Sequence, residues 1–353
     1  MILFGISSTI QLENIATIFR YLASSGVQCS LLNLDKLQTS DNLEADISEA
    51  RKLKLSNVVK AIFYKFPTQT KILFMQQDVG LVEKILLNKA KKAKIYTCIA
   101  PDGMIWGDRN LTAEFSIRKA FNSAVLLVFE LIGLLESRSS RWFNSQPSHI
   151  FLWGTEWQSI AEENSPGSQM TISGCPRFSN RFISKVPGTF NLLLASTPVE
   201  LLNFSEPEIL DYYQSLTKHI ESSDLGQIRL RLHPFELSSS KVPEMLKTIS
   251  SSRGLEEDLN WAHTVLSPVS TVLLEAALLG RQVGFFAEHK NLSQLRESNI
   301  FFQAINNLQQ NPRVEKLVGI DLGGHFNLDI YCRQVPNPTQ VIGESLLKIL
   351  GRS

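Results

Sequence analysis

The sequence predicts an α/β protein made of two Rossmann-like domains, each a doubly wound parallel sheet, that face each other across a cleft. Three observations predict this fold class. The chain has 353 residues, which suits two domains of roughly 100–200 residues each. Short apolar runs alternate with amphipathic stretches, as strands and helices do in parallel sheets. This alternation restarts after residue 184. We therefore expect an N-terminal domain over 1–184, a second domain over 185–335 and a C-terminal helix over 336–353.

The elements of the first domain follow from apolar runs of strand length and apolar residues at helical spacing. We predict strands over 2–6, 27–34, 71–75, 95–99, 149–153 and 169–173. We predict helices over 10–23, 41–66, 81–91 and 120–135. The last helix contains Glu130 and is shorter than the roughly 20 residues that span a bilayer, so it is interpreted as a core helix, with a membrane-surface helix as the alternative.

The second domain repeats the pattern. We predict strands over 190–195, 228–232, 263–266 and 283–286, and helices over 206–222, 242–250, 271–279 and 340–350. Ligands of such sheets bind outside the carboxyl ends of the strands. The polar residues that follow each strand are therefore the candidates for a functional site.

Composition narrows the class of protein. Hydrophobic residues make up 43% and charged residues 20% of the chain, which is typical of a soluble globular protein. The net charge of +1 argues against a nucleic-acid binder. The four cysteines are scattered and the N-terminus lacks the pattern of a signal peptide, so we expect a cytoplasmic protein. No Asp-x-Asp pair or Gly-x-Gly-x-x-Gly fingerprint follows a strand, so neither a metal nor a dinucleotide cofactor is expected.

In the first domain, Asp102 and Gly103 come directly after a predicted strand. The pair is either an ordinary turn or a carboxylate that accepts a proton, with a glycine beside it that lets substrate approach. Gly174 and Arg177 follow the last strand of this domain, as a structural turn or as substrate contacts. The segment after the first strand contains further candidates for substrate binding, Ser7 and Ser8.

In the second domain, alternation places Arg229, Arg231 and His233 on one face of a strand that ends at Pro234. His233 is either a satisfied core histidine or a group that donates a hydrogen bond or a proton to a phosphate. Arg231 is a candidate for a donor carboxylate or phosphate because arginine binds oxyanions in a bidentate manner.

Hydroxyl residues begin the helix predicted after the next strand. They either cap that helix or bind an anion with its free N–H groups. The candidates here are Ser267, Ser270 and Thr271, with Glu275 one helical turn further on.

In order along the chain, Asp102-Gly103, His233-Pro234 and Ser270-Thr271 resemble the motifs of bacterial sialyltransferases and polysialyltransferases, which are glycosyltransferases of the GT-B type. Pro101 stands where that motif has its first acidic residue. The segments 153–157 and 174–178 are similar to those of surface-polysaccharide transferases, and Gly174 to Arg177 is similar to a segment of CDP-glycerol glycerophosphotransferases.

The resemblance implies transfer of sialic acid or a related acidic sugar from a CMP-activated donor to a glycan or glycolipid acceptor, without a metal. Asp102 would be the base, and His233 would act as an acid on the phosphate side. The donor phosphate and nucleotide would be held by Pro234, Ser267, Ser270, Thr271 and Glu275.

Three alternatives remain open at this stage. They are a UDP-sugar glycosyltransferase or epimerase of the same fold, a CDP-glycerol-type phosphotransferase, and a non-catalytic scaffold. The basic and aromatic segment 138–143 is either the cationic end of a helix or a contact with the inner face of a membrane.

Overall fold

The chain forms two compact units in the computed structural model. The first combines Met1–Asn180 with Asp329–Ser353, and the second is Arg181–Leu328. The segment 329–335, which the sequence assigned to the second domain, therefore groups with the first unit. The structure describes residues 1–43, 55–103, 129–130, 133–135, 141–178, 187–188, 190–202, 204–221, 227–287, 289–309, 327–333, 335 and 337–351.

Unit 1 is built on a sheet whose described strands run in the order β3-β2-β1-β4-β5-β6-β7. These strands are β1 (Ile2–Ile6), β2 (Cys29–Asn33), β3 (Gln38–Ser40), β4 (Ile72–Met75), β5 (Tyr96–Ile99), β6 (His149–Leu152) and β7 (Gln169–Ile172). Neighbouring strands are parallel except for the antiparallel pair β2 and β3, in which Leu31 lies opposite Ser40. The sequence did not predict β3.

Unit 2 contains a smaller sheet in the order β11-β10-β8-β9, with all neighbouring strands parallel. Its strands are β8 (Asn191–Ala195), β9 (Gln227–Arg231), β10 (Thr264–Leu266) and β11 (Gln282–Gly284). The chain passes from β8 to β9 on one side of β8, and β10 lies on its other side. The strand order thus reverses between β8 and β10, as it does between β1 and β4 in unit 1, and such reversals mark the ligand-binding edge of doubly wound sheets.

Helices follow most of the strands. In chain order they are α1 (Thr9–Ser24), α2 (Leu55–Phe63), α3 (Leu81–Lys92), α4 (Gln158–Asn164), α5 (Glu206–Glu221), α6 (Pro234–Ser238), α7 (Glu244–Ile249), α8 (Leu255–Trp261), α9 (Val272–Leu278), α10 (Lys290–Glu297), α11 (Ile300–Gln309) and α12 (Pro338–Ile349). The helix predicted over 41–66 is shorter: 41–43 are not helical, 44–54 lie outside the described residues, and α2 begins at Leu55. Most of the helix predicted over 120–135 lies outside the described residues.

The core of unit 1 joins the two ends of the chain. Strand β1 is buried throughout because helices cover both faces of the sheet. Helix α12 packs on α1, where a Cβ at Gly343 would lie 2.3 Å from the Tyr21 ring, and the Thr339 hydroxyl donates to Thr17 Oγ1 at 3.1 Å. Only glycine allows this close approach of the two helices.

Burial changes the interpretation of segment 138–143. Trp142 and Phe143 are buried, and Arg141 pairs with Glu163 at 3.6 Å. The burial of these two aromatic side chains argues against the membrane-contact alternative for them, while 138–140 lie outside the described residues. None of the helices in the described part of the chain is both long and apolar enough to cross a membrane.

Candidate functional site

In unit 1, a set of hydrogen bonds connects the carboxyl ends of three adjacent strands, β1, β4 and β5. Gln11 Nε2 donates to Asp102 Oδ2 at 2.7 Å, and the backbone N–H and hydroxyl of Ser7 both donate to Gln11 Oε1, at 2.8 and 3.0 Å. Gln76, after β4, donates to the Gln11 carbonyl at 2.5 Å. Asp102 is thus held in one orientation by a buried glutamine that sequence analysis did not single out.

The environment of Asp102 favours proton uptake. Burial raises the pKa of this carboxyl group, and the nearby charge of Glu83 acts in the same direction. The hydrogen bond from Gln11 and the positive charge of Arg177 lower that pKa, but burial is the larger effect. A half-buried carboxylate with a raised pKa is a better proton acceptor than an exposed one.

Two of the other candidates of unit 1, Ser8 and Gly174, have structural explanations. Ser8 caps α1 by accepting from the Gln11 N–H at 3.2 Å. Gly174 has a φ of +71°, and a Cβ there would lie 2.5 Å from the Arg333 carbonyl oxygen, so glycine is required for packing. Arg177 lies close enough to Asp102 to affect its pKa and is stacked 5.2 Å from the centre of the Phe178 ring. Gly103 is half-buried directly after Asp102.

In unit 2, His233 follows β9 and caps α6. Its Nδ1 accepts from the backbone N–H of Phe235 at 3.1 Å, and Pro234 occupies the first helical position, where its missing N–H costs nothing. Because Nδ1 is the acceptor, the proton of the neutral ring sits on Nε2. Burial lowers the pKa of His233, so the neutral ring is the form expected at neutral pH. No described group accepts from Nε2, which is therefore a donor available to a ligand.

A buried carboxylate holds this histidine in place, and the sequence analysis missed it. Glu236 Oε2 accepts from the His233 N–H at 2.8 Å, and its Oε1 accepts from Ser196 Oγ at 2.7 Å and the Tyr213 hydroxyl at 2.8 Å. Ser196 comes directly after β8, so Glu236 links the ends of β8 and β9. The pattern His-Pro-x-Glu was the available signal, since glutamate three residues after a cap completes a capping box.

The end of β10 lies beside the end of β8. Thr197 Oγ1 donates to the Val269 carbonyl at 2.7 Å, which ties the two loops together where the strand order reverses. Ser270 Oγ accepts from the Val272 N–H at 3.2 Å and so partly serves as a cap. Ser267 is fully buried, and within the described residues its hydroxyl has no hydrogen-bond partner. Thr271 is half-buried at the start of α9, and Glu275 is buried one turn later.

Arg231 is already paired inside unit 2. Its guanidinium donates to Asp258 Oδ2 at 2.9 Å, and Arg229 contacts Oδ1 of the same fully buried carboxylate at 3.3 Å. The expected common face of the two arginines is present, but it meets Asp258. We therefore leave Arg231 out of the proposed site.

A second histidine caps a helix in the same way. His289 Nδ1 accepts from the Asn291 N–H at 3.2 Å, and its Nε2 lies 2.9 Å from Glu208 Oε1. The ring stacks on Phe204 with centroids 3.8 Å apart. This outer nitrogen already has an acceptor. In the described part of the chain, no cluster of three or more His, Cys, Asp or Glu side chains is arranged to hold a metal ion.

No protein-family model matches the chain, and no curated protein matches it. Solved structures do. The Neisseria meningitidis UDP-GlcNAc 2-epimerase bound to UDP-GlcNAc is 12% identical with a TM-score of 0.53, covering 98% of this chain and 99% of that one. The glycotransferase of kitacinnamycin is 11% identical, with a TM-score of 0.56 and coverage of 99% and 98%. The wall teichoic acid polymerase TagF with CDPG is 11% identical, with a TM-score of 0.53 and coverage of 99% and 89%. At these identities the likeness shows the fold: two Rossmann-like parallel-sheet units, as in GT-B proteins.

Proposed function

We propose that the chain is a GT-B enzyme that acts on a nucleotide-activated sugar and binds the donor phosphates at the carboxyl ends of β8, β9 and β10. The observation that carries this proposal is the fixed Nε2–H donor of His233. It stands at the edge of the sheet where the hydroxyls of Ser267, Ser270 and Thr271 also lie. A neutral N–H donor and several hydroxyls suit phosphate oxygens, which accept hydrogen bonds without giving any.

For the chemistry, we propose glycosyl transfer. The acceptor hydroxyl attacks the anomeric carbon, the bond from that carbon to the phosphate oxygen breaks, and the nucleotide leaves. Asp102 takes the proton of the hydroxyl, which its raised pKa favours. His233 Nε2–H donates a hydrogen bond to the phosphate oxygen as negative charge develops on it. Electrostatic stabilisation of a leaving group by a preorganised donor is one of the larger contributions to catalysis.

For the donor, we place UDP ahead of the CMP that the sequence motifs favoured. The solved structures of similar fold include proteins whose names specify UDP-GlcNAc or CDPG. The distance between the strand ends also favours a nucleoside diphosphate over a nucleoside monophosphate. The ends of β10 and β9 are separated by β8, so they stand roughly 10 Å apart, and two linked phosphates offer more acceptors over that distance than one phosphate.

Calorimetry with UDP, CDP, CMP, GDP and ADP tests the proposal directly. We expect UDP to bind more tightly than CMP. Preference for CMP would restore the acidic-sugar donor, and preference for CDP would indicate a polyol-phosphate donor. No binding of any nucleotide would contradict the proposal and favour a scaffold role. A Thr271→Val variant, which removes one hydroxyl at equal volume, should weaken UDP binding, whereas Thr248→Val on α7 is the matched control.

Epimerisation of a UDP-sugar is the second candidate function. It is favoured by the second carboxylate near Asp102, the buried Glu83, because epimerisation requires groups that remove and return a proton at carbon. Incubation with UDP-GlcNAc in D2O, followed by NMR, separates the two. An epimer with deuterium at the inverted carbon indicates an epimerase, and transfer only when an acceptor is added indicates a glycosyltransferase.

A further inference from the structure

Unit 1 has a basic surface near the amino ends of its strands β4 and β5, whereas Asp102 lies at their carboxyl ends. Asp102 follows the carboxyl end of β5, whereas α2 and α3 end near the amino ends of β4 and β5. Lys89 Nζ donates to the Ile62 carbonyl, which ties the end of α3 to the end of α2. Lys71 directly precedes β4, and its carbonyl accepts from the Tyr96 N–H at 3.0 Å, next to the lysine-rich end of α3.

The charged residues of segment 55–100 are mostly positive. Residues 55–100 contain eight lysines and two acidic residues, Asp78 and Glu83, both of which are buried. Lys84 is also buried and faces Asp78. The other seven are Lys60, Lys65, Lys71, Lys89, Lys91, Lys92 and Lys94. Within the described chain, Lys60, Lys65, Lys71 and Lys94 form no ion pair.

An exposed apolar pair lies on α2, which also carries Lys60 and is tied to α3 by Lys89. Helix α2 buries Val58 and Ala61, while Phe63 is 75% and Val59 47% exposed on its outer face, together with Lys60. The i, i+4 spacing places Val59 and Phe63 side by side. Lysines near the end of a helix are ordinary because they complement its dipole, but that does not account for an exposed phenylalanine among them.

We propose that this basic face, defined by Val59, Phe63 and the seven lysines above, binds the surface of an anionic lipid bilayer. Apolar side chains surrounded by lysines insert at the boundary between headgroups and acyl chains, while the ammonium groups contact anionic headgroups. A polyanion such as heparin or double-stranded RNA would bind the lysines but offers no apolar interior for Val59 and Phe63. Docking through the amino ends of the strands leaves the carboxyl ends of the same sheet, where Asp102 lies, accessible. The proposal does not depend on the proposed function.

Sedimentation of the full chain with vesicles tests the proposal. Phosphatidylcholine vesicles with and without phosphatidylserine are compared. We expect binding only when phosphatidylserine is present. Binding should weaken when salt rises from about 0.1 M to about 1 M, because the Debye length falls from about 10 Å to about 3 Å.

Two variants separate the two parts of the face. Val59→Ser with Phe63→Ser, and Lys60→Gln with Lys65→Gln and Lys94→Gln, should each weaken vesicle binding about tenfold or more. The matched control is Met245→Ser with Ile249→Ser, which removes an exposed i, i+4 apolar pair from α7 in unit 2 and should leave vesicle binding unchanged. Unchanged circular dichroism and an unchanged thermal unfolding midpoint establish that each variant is folded.

Several outcomes would overturn the proposal. These are absence of binding to anionic vesicles, equal binding to neutral vesicles, and binding unaffected by the Val59 and Phe63 double variant. Salt-sensitive binding of heparin or RNA that matches vesicle binding and ignores the apolar variant would assign the face to a polyanion instead. Failure of nucleotide binding would leave this test intact, because the vesicle assay needs no nucleotide.

Discussion

The caps of α6 and α10 are two regions of unit 2 with nearly the same geometry. In each, a histidine Nδ1 accepts a backbone N–H two residues later, at 3.1 Å for His233 and 3.2 Å for His289. The single proton of the neutral imidazole ring therefore lies on Nε2 in both histidines. His289 Nε2 meets Glu208, whereas no described group meets His233 Nε2. The same local structure thus leaves one donor occupied and the other available for a ligand.

The carboxylates behind the two caps also differ. Glu236 is fully buried and accepts three hydrogen bonds, and burial raises its pKa. Glu208 is near the surface, where the Ser205 backbone N–H and His289 lower its pKa to about 2. One carboxylate positions its histidine from within the core, and the other simply pairs with its histidine at the surface. Variants at the two caps therefore separate the proposed role of His233 in binding a ligand from its role in capping a helix.

The largest expected effect is on turnover. His233→Ala should lower the rate of sugar transfer or epimerisation by about 10²–10⁴-fold, because it removes the donor to the phosphate. His289→Ala should leave the rate within about twofold, since its Nε2 is already engaged. The measurement is steady-state kinetics with the donor identified by calorimetry. A folded His233→Ala enzyme with normal turnover would remove the central residue of the proposed function.

The second effect is on stability. Glu236→Ala should lower the free energy of unfolding by about 3 kcal/mol, because it leaves Ser196, Tyr213 and the His233 N–H without their buried acceptor. Glu208→Ala should cost less, since water replaces the lost partners at the surface. Urea unfolding of both variants at pH 7 gives the comparison. Equal losses would show that Glu236 is not the buried support of the His233 cap.

A third histidine provides a reference for pH dependence. His149 in β6 is buried, its Nε2 contacts Thr171 Oγ1 at 2.9 Å, and burial lowers its pKa to about 4. Between about pH 6.5 and pH 4 the unfolded chain binds a proton that the folded chain does not. Stability therefore falls as pH falls, by about 3 kcal/mol in total. His149→Gln should remove this part of the pH dependence in urea titrations at pH 7 and pH 4. If the free energy of unfolding fell equally from pH 7 to pH 4 in His149→Gln and in the unchanged protein, this assignment to His149 would be contradicted.

The fourth effect isolates the contribution of Nε2 of His233 and of His289 from their capping of the helices. Asparagine keeps an acceptor for the helix N–H but lacks a group in the place of Nε2, so His233→Asn preserves the cap. We expect it to weaken UDP binding about 10–100-fold, and His289→Asn to leave UDP affinity unchanged. Calorimetry gives both values. Equal affinity of the two variants would show that His233 acts only as a cap.

The smallest effect concerns pH and UDP affinity. The lowered pKa of His233 keeps its ring neutral, so affinity should change by less than about twofold between pH 7 and pH 8.5. A site that needed the imidazolium would instead lose affinity nearly tenfold for each pH unit above the pKa. A tenfold fall over this range, absent in His233→Asn, would contradict the neutral donor.

The fold was predictable from the sequence because buried parallel strands are nearly continuous apolar runs. Strand β1 was predicted at its observed bounds, and α5 within one residue of them. Short elements were missed. Helix α6 has five residues and β3 has three, too few for a periodic pattern to appear. Strand β3 is also polar and partly exposed, and it forms only because β2 offers a free edge.

The candidate site was predictable at the strand ends but not in its supporting residues. His233 and Asp102 were found because each follows an apolar run. Gln11 and Glu236 were not, since a polar residue inside a helix looks the same whether it faces solvent or a strand end one turn away. Arg231 shows the converse: the alternation was correct, but Asp258, the partner that neutralises it, lies 27 residues further along the chain.

The return of the chain to unit 1 sets an order on folding during synthesis. Helix α12 covers α1, yet the ribosome produces α12 only after all of unit 2. Until then the side of α1 that carries Thr17 and Tyr21 lacks its native cover, while unit 2 already has its whole sequence. Unit 2 is thus able to complete its fold first, and the nascent N-terminal half is the part that chaperones must protect for longest.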